Sequence, residues 1–314
     1  MQLLARGVSA LTLPVRAVWR AAQLWLDADG LRMSAAMSFY GVLSLAPLLV
    51  LLVAGLGWWL DRELLEQGLI GQIGTIVGEQ GAGVIREALA SARRPQEGLL
   101  ASAIGLAILL FGATGVFGEL QSAFERLWSF GRTAPLPPQA WYHSVTLRLR
   151  GVGYVMAFGF LLLVSLAIST LLNLLSGWAG ERLALERALW LFNELLGFAV
   201  CAALFMGLMR MSAGPKPGWR HLFAGALVGA ALFTLGRHLL AAYLSTAAVV
   251  SAYGAAGSLV VLLMWIYFSA AVLLFGAGCA RALAEELAAS AQQAAAGAPA
   301  PASLRPAGAP AGAH

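Results

Sequence analysis

The sequence predicts an all-α polytopic membrane protein, with six transmembrane helices and further amphipathic helices at the interface. Three observations carry that prediction. Of the 314 residues, 60% are hydrophobic and only 11% are charged, and the mean hydropathy is +0.79. A soluble globular chain carries roughly 25% charged residues, because a water-facing surface requires them. The apolar residues also fall in six long runs, each near the roughly 20 helical residues needed to cross about 30 Å of hydrocarbon. Finally, the alternation of a β-barrel is absent, and in lipid only helices and closed barrels leave no backbone group unpaired.

The six runs are Ser34–Leu60, Leu99–Phe117, Gly151–Leu175, Leu189–Met209, Leu222–Leu244 and Gly257–Ala280. Residues 1–287 then form one membrane domain. The segment 288–314, almost entirely Ala, Pro, Gly, Gln and Ser, reads as a disordered tail because it buries too little apolar surface to order itself. Basic residues set the orientation. Arg6, Arg16, Arg20, Arg32, Arg126, Arg132, Arg148, Arg150, Arg210, Lys216, Arg220, Arg281 and Arg305 fall on one side, and Arg62, Arg86, Arg93, Arg94, Arg182, Arg187 and Arg237 on the other. The positive-inside rule places both termini in the cytoplasm. The net charge of +5 is explained by this topology signal, since the basic residues form no stripe for nucleic acid. After Arg6 the stretch to Pro14 is too short for the apolar core of a signal peptide, so insertion is expected to use an internal run.

The segments between the runs have their own pattern. Val15, Val18, Ala22, Trp25 and Leu26 share one helical face, opposite Arg16, Arg20, Gln23 and Asp27. This is a basic amphipathic helix, to be placed either in the membrane interface or against the other cytoplasmic loops. The loop 61–98 is the most acidic and shows helical spacings broken by Gly78, Gly81 and Gly83, which predicts two short amphipathic helices. Beyond Phe117, the apolar residues Leu120, Phe124, Leu127 and Trp128 extend one face, so the second helix is expected to continue past the membrane toward Gly131.

Candidate functional residues are few. Glu194 and Asn193 lie in the fourth run, and Arg237 and His238 in the fifth. Ionisable groups in hydrocarbon are costly and usually meet a partner or a water-filled cavity. Counted from Ala188 and Leu244, the outer ends of consecutive antiparallel helices, Glu194 and Arg237 sit at equal depth, about 9–10 Å at 1.5 Å per residue. An intramembrane ion pair is therefore expected. Pro47, in the middle of the first run, removes a backbone hydrogen bond and predicts a kink. Gly112, Gly115 and Gly118, the Gly225/Gly229 pair, and Gly276 and Gly278 predict close helix packing, with Gly225/Gly229 also a candidate dimer contact. His143, His221, His238 and His314, with Cys201 and Cys279, show no metal-ligand spacing, so no metal, cofactor or disulfide is expected.

Three stretches carry a resemblance. Ala35-Ala36-Met37-Ser38-Phe39-Tyr40-Gly41-Val42-Leu43-Ser44-Leu45-Ala46-Pro47 resembles the first span of the YihY/BrkB family of bacterial inner-membrane proteins. Tyr253-Gly254-Ala255-Ala256-Gly257, with Trp265-Ile266-Tyr267 and Gly276-Ala277-Gly278, is similar to that family's last span, and Gly115-Val116-Phe117, Leu120-Gln121 and Arg126-Leu127-Trp128 to its second-span helix. The match covers about residues 20–285. One departure is Glu125, where many relatives have Asn.

The resemblance implies six spans, cytoplasmic ends and a bacterial inner membrane. Members once carried a tRNA-processing ribonuclease label that is regarded as mistaken, and some are linked to serum resistance. It supplies no catalytic residues. The expected function is transport or envelope maintenance, moving a lipid or an amphipathic solute. A non-transporting scaffold for protein partners is the alternative. A ribonuclease is disfavoured, because Glu119, Glu125 and His143 do not cluster as a metal-dependent nuclease requires. The expected partners are membrane lipids, with a homo-oligomer left open and no nucleic acid.

Overall fold

The computed structural model describes residues 16–56, helical pieces of one to three residues between 63 and 90, then 99–129, 183–212, 216–246 and 257–296. Among the described residues every element is helical and none is a strand. The helices are α1 (16–27), α2 (Gly30–Leu56), α3 (Leu99–Ser129), α4 (Leu183–Met211), α5 (Trp219–Thr246) and α6 (Gly257–Ala296). Helices α2 to α6 coincide with five of the six predicted spans. The remaining one, Gly151–Leu175, lies outside the described residues, as do the tail beyond 296 and most of the loop 61–98. Three described stretches are long and apolar enough to cross a membrane: Leu191–Met211, Trp219–Leu240 and Leu259–Gln293.

The pairs α2–α3, α4–α5 and α5–α6 run antiparallel, and glycine sets how closely they approach. A methyl group added at Gly112 would stand 2.7 Å from Ser44 Cβ and 2.9 Å from its backbone nitrogen, so α2 and α3 touch backbone to backbone. One added at Gly225 would stand 2.4 Å from the carbonyl oxygen of Gly276, and one at Gly276 would stand 2.8 Å from the carbonyl oxygen of Gly225. The Gly225/Gly229 pair is thus consumed within the chain, against Gly276 of α6 and Phe205 of α4, and not free for a dimer contact. Between apolar helices in lipid, close packing of this kind replaces the hydrophobic drive that water supplies elsewhere.

The bundle has two unlike ends. Arg16, Arg20, Arg32, Arg126, Arg210, Lys216 and Arg281 mark a basic end, where the main core gathers residues of all six helices around Leu24, Phe124, Leu127, Met209, Leu222 and Leu274. Helix α3 continues unbroken to Ser129, and Leu120, Phe124, Leu127 and Trp128 are buried along one face as their spacing predicted. A smaller cluster of Val261, Leu262 and Trp265 lies toward the opposite, far end, supported by Val42, Leu45 and Phe233.

Two boundaries differ from the sequence reading. Helix α6 runs to Ala296, nine residues into the segment expected to be disordered. Alanine has the highest helix propensity, so an Ala-rich stretch extends a helix already nucleated by packing. In α1 the buried residues are Ala17, Ala21 and Leu24, followed by Ala28 in the turn, while Val18 and Leu26 of the predicted apolar face are exposed. Small alanines win that contact because α1 lies directly on the backbone of α6: a methyl group at Gly278 would meet Ala21 O at 3.1 Å.

Candidate functional site

Helices α4 and α5 form an antiparallel pair joined at the basic end, so their far ends lie side by side. Helix α4 starts at Leu183 and α5 ends at Thr246, so Glu194 is 11 residues from one far end and Arg237 nine residues from the other. At 1.5 Å per residue these are about 16 and 14 Å along the axes, so the two residues stand at matched heights. Arg237 Nη2 donates to Glu194 Oε1 in a close ion pair. His238 Nε2 lies 3.8 Å from the same carboxylate oxygen, and Asn193 is exposed one residue from Glu194. The structure therefore brings three of the four intramembrane candidates to one point.

Among the described residues that point is not sealed. The side chains of Glu194, Arg237 and His238 are 28%, 38% and 68% exposed, and Leu191, Phe192, Leu195, Leu235, Leu239 and Tyr243 around them are exposed too. An opposed pair lowers the cost of holding charge in an apolar layer, because each partner replaces part of the other's lost hydration. Arg237 Nε is buried without a hydrogen-bond partner, so the guanidinium retains an unused donor beside the pair. Chemically the arrangement offers a carboxylate acceptor, a guanidinium donor and an imidazole on one apolar face.

Pro47 lies within α2, which runs without interruption from Gly30 to Leu56; its side chain lies outside the described ones. In the described part of α2, Ser34 Oγ donates to Gly30 O at 2.7 Å, Ser38 Oγ to Ala35 O at 2.8 Å and Ser44 Oγ to Gly41 O at 3.1 Å. These bonds spare three hydroxyls an unpaired place in an apolar setting. Among the described residues no three of His, Cys, Asp and Glu gather closely enough to hold a metal ion.

Sequence reasoning missed a second set of charges, at the basic end. Asp29 occupies the turn between α1 and α2 with φ at 60°. Its Oδ2 accepts from Arg32 Nη2 at 3.0 Å and from Arg126 Nη1 of α3 at 2.9 Å. Glu285 of α6 accepts from Arg20 Nε of α1 at 3.3 Å and from Arg281 Nε at 2.6 Å, and Arg281 Nη1 donates to the carbonyl of Leu127. Of these contacts only Arg281–Glu285 and Asp29–Arg32 carried a helix-spacing signal; the rest join residues far apart in the chain.

Comparison with known proteins fits this picture of glycine-packed membrane helices. The family model described as virulence factor BrkB matches residues 21–301. A UPF0761 membrane protein of Verminephrobacter eiseniae is 30% identical over 181 residues, 56% of this chain and 41% of that one. Another from Methylibium petroleiphilum is 26% identical over 175 residues, 55% of this chain and 40% of its own. A third, from Vibrio cholerae, is 33% identical over 96 residues, 30% of this chain and 32% of its own. The chain thus spans less than half the length of the curated relatives it matches, and no solved structure matches it. Motif residues of the resemblance, among them Arg126, Leu127, Trp128, Trp265, Gly276 and Gly278, hold the helices together at the contacts described above. With a family match over most of its length, the chain belongs to the virulence factor BrkB family of membrane proteins.

Proposed function

We propose that the protein is a transport or envelope-maintenance protein of the bacterial inner membrane, with both termini cytoplasmic, that moves a lipid or another amphipathic solute across or within the bilayer. The observation that supports this reading is the Glu194–Arg237–His238 group, set inside apolar helices yet open on its outer face. A purely structural ion pair gains most from being sealed. A pair that hands polar headgroups past an apolar layer has to remain reachable. On this reading Glu194 and Arg237 offer paired charges to a polar group while the exposed Phe192, Leu195, Leu235 and Leu239 face its apolar part. The reading assigns no catalytic residue and no cofactor, and treats membrane lipid as the main partner.

Reconstitution tests it. Liposomes containing the purified chain and a fluorescently labelled phospholipid should exchange label between leaflets faster than empty liposomes, and Glu194→Gln should abolish the difference. Equal exchange with and without protein overturns the lipid reading, and equal leakage of an amphipathic dye overturns the solute reading. Reporter fusions after Arg94 and Glu186 should report the outside, and those after Arg132 and Lys216 the cytoplasm; a cytoplasmic signal at Arg94 overturns the orientation.

A further inference from the structure

Helix α1 has three sides. At about 100° of rotation per residue, Ala17, Ala21 and Leu24 form the buried side, and Ala21 lies on Gly278 of α6. A second side carries Val18, Ala22 and Leu26, with Trp19 at its edge; Trp19 is 69% exposed and Leu26 56% exposed. The third carries Arg16, Arg20, Gln23 and Asp27. A helix lying flat in an interface, against a protein bundle, needs one side for the bundle, one for acyl chains and one for water.

A groove of about 460 Å³ opens between α1 and α6, lined by Arg16, Trp19, Arg20, Gln23 and Glu286. That volume lies within the roughly 300–1,000 Å³ of ligand clefts. Glu286 is 29 residues beyond Gly257, about 43 Å along the axis of α6 at 1.5 Å per residue. Hydrocarbon and both headgroup layers together measure about 40–45 Å, so with Gly257 at the opposite surface, where the predicted span Gly257–Ala280 begins, the groove falls at headgroup level. Arg20 is held by Glu285, whereas Arg16 and the Glu286 carboxylate have no ion-pair partner among the described residues.

From this geometry we infer that the groove binds the headgroup of a phosphoethanolamine lipid in the leaflet at the basic end. The lipid phosphate accepts from Arg16 and Arg20, its primary ammonium donates to Glu286, and its acyl chains lie along Val18, Trp19 and Leu26. A phosphate alone does not satisfy the groove, because Glu286 would face it unpaired. A quaternary ammonium has no N–H to donate to that carboxylate. Because Arg20 is tied through Glu285 and Arg281 to the carbonyl of Leu127, the bound lipid fastens α1 to both α6 and α3.

Native mass spectrometry of the detergent-purified full chain tests this. Phosphatidylethanolamine, phosphatidylcholine and phosphatidylglycerol of identical acyl chains are added separately. Phosphatidylethanolamine should be retained best, by about threefold to tenfold, the range for a few charge-assisted contacts at an exposed site. Arg16→Gln and Glu286→Gln should each remove that preference while leaving the melting temperature in detergent unchanged. Glu194→Gln, far from the groove, should preserve it. Equal retention of all three lipids, tighter retention of phosphatidylglycerol, or a preference that survives Glu286→Gln overturns the inference.

Discussion

The basic and far halves of the α4–α5 pair share one hairpin but are built on opposite terms. Toward the basic end, Ala202, Phe205, Met209, Met211, Leu222, Gly225, Ala226, Gly229 and Ala230 are buried, and glycines bring α5 onto the backbone of α6. Toward the far end no residue of Leu191–Val200 or of Ala231–Leu240 is buried, and Gly197 has open space where a side chain would stand. The charges differ in the same sense. At the basic end they cross-link helices: Asp29 ties the α1–α2 turn to α3, and Glu285 ties α1 to α6. At the far end they pair within the hairpin and stay reachable. Among the described residues of this hairpin the basic half is the more tightly packed and the far half the more exposed, while Gly236 and Phe233 of α5 still pack on Phe268 and Trp265 of α6.

The sharpest way to break that contrast is to enlarge one glycine packed on the basic half and one in the far half. Gly276→Val places methyls against Gly225 O, Gly229 Cα and Met209 Cε, where backbone cannot yield. A loss of about 3 kcal/mol or more in detergent unfolding is expected, at the upper end of overpacking costs. Gly197→Ala should change stability by less than about 0.5 kcal/mol. Equal effects would mean that the halves are not differently packed.

The second largest effect is expected for Arg281→Ala. Arg281 is only 11% exposed, pairs with Glu285 and donates to the carbonyl of Leu127. Its loss leaves that carbonyl without its cross-helix donor and Glu285 with Arg20 alone, so about 2 kcal/mol should be lost. Arg281→Lys should recover less than half, since one ammonium does not reach both acceptors with a fork's geometry.

Much of this was legible in the sequence, and for an identifiable reason. Long apolar runs report lipid exposure directly, so five described helices stand where hydropathy placed them. The Glu194–Arg237 pair was legible because two antiparallel neighbours with charges at equal depth leave little freedom. The packing face of α1 was not legible. Ala17, Ala21 and Ala28 carry little hydrophobic weight, so the larger Val18, Trp25 and Leu26 dominated the pattern. The Arg20–Glu285 and Asp29–Arg126 contacts span 265 and 97 positions and leave no periodic trace. The glycines announced close packing, but only the fold shows that Gly225 meets Gly276.

Third in size is the far-end pair. Breaking a fully buried ion pair costs about 3–5 kcal/mol, and an exposed one at most about 1 kcal/mol. Glu194 and Arg237 lie between those limits, so Glu194→Ala or Arg237→Ala should each cost about 1–2 kcal/mol. The exchange of Glu194→Arg with Arg237→Glu should recover part of it. Silent single variants, or losses that add without recovery, would show that the pair holds nothing together and that the far half is looser still.

The smallest expected effect decides whether the basic end is held by shape or by charge. Asp29 sits at φ 60°, where a side chain costs about 1 kcal/mol relative to glycine. Its carboxylate pairs with Arg32 and Arg126, both half-exposed, and such pairs contribute between nothing and about 1 kcal/mol. Asp29→Gly removes the backbone cost and the pairs together, so the terms nearly cancel and stability should stay within about 0.5 kcal/mol of the parent. Asp29→Ala removes the pairs and keeps the cost, so it should be less stable than Asp29→Gly by about 1 kcal/mol. Exposed pairs are screened as salt rises, whereas the backbone term is not. Between 0.05 and 0.5 M salt the gap between Gly and Ala should therefore hold steady, while the parent's advantage over Ala shrinks. Absence of a gap between Gly and Ala would assign the turn to charge, and a parent insensitive to salt would assign it wholly to shape.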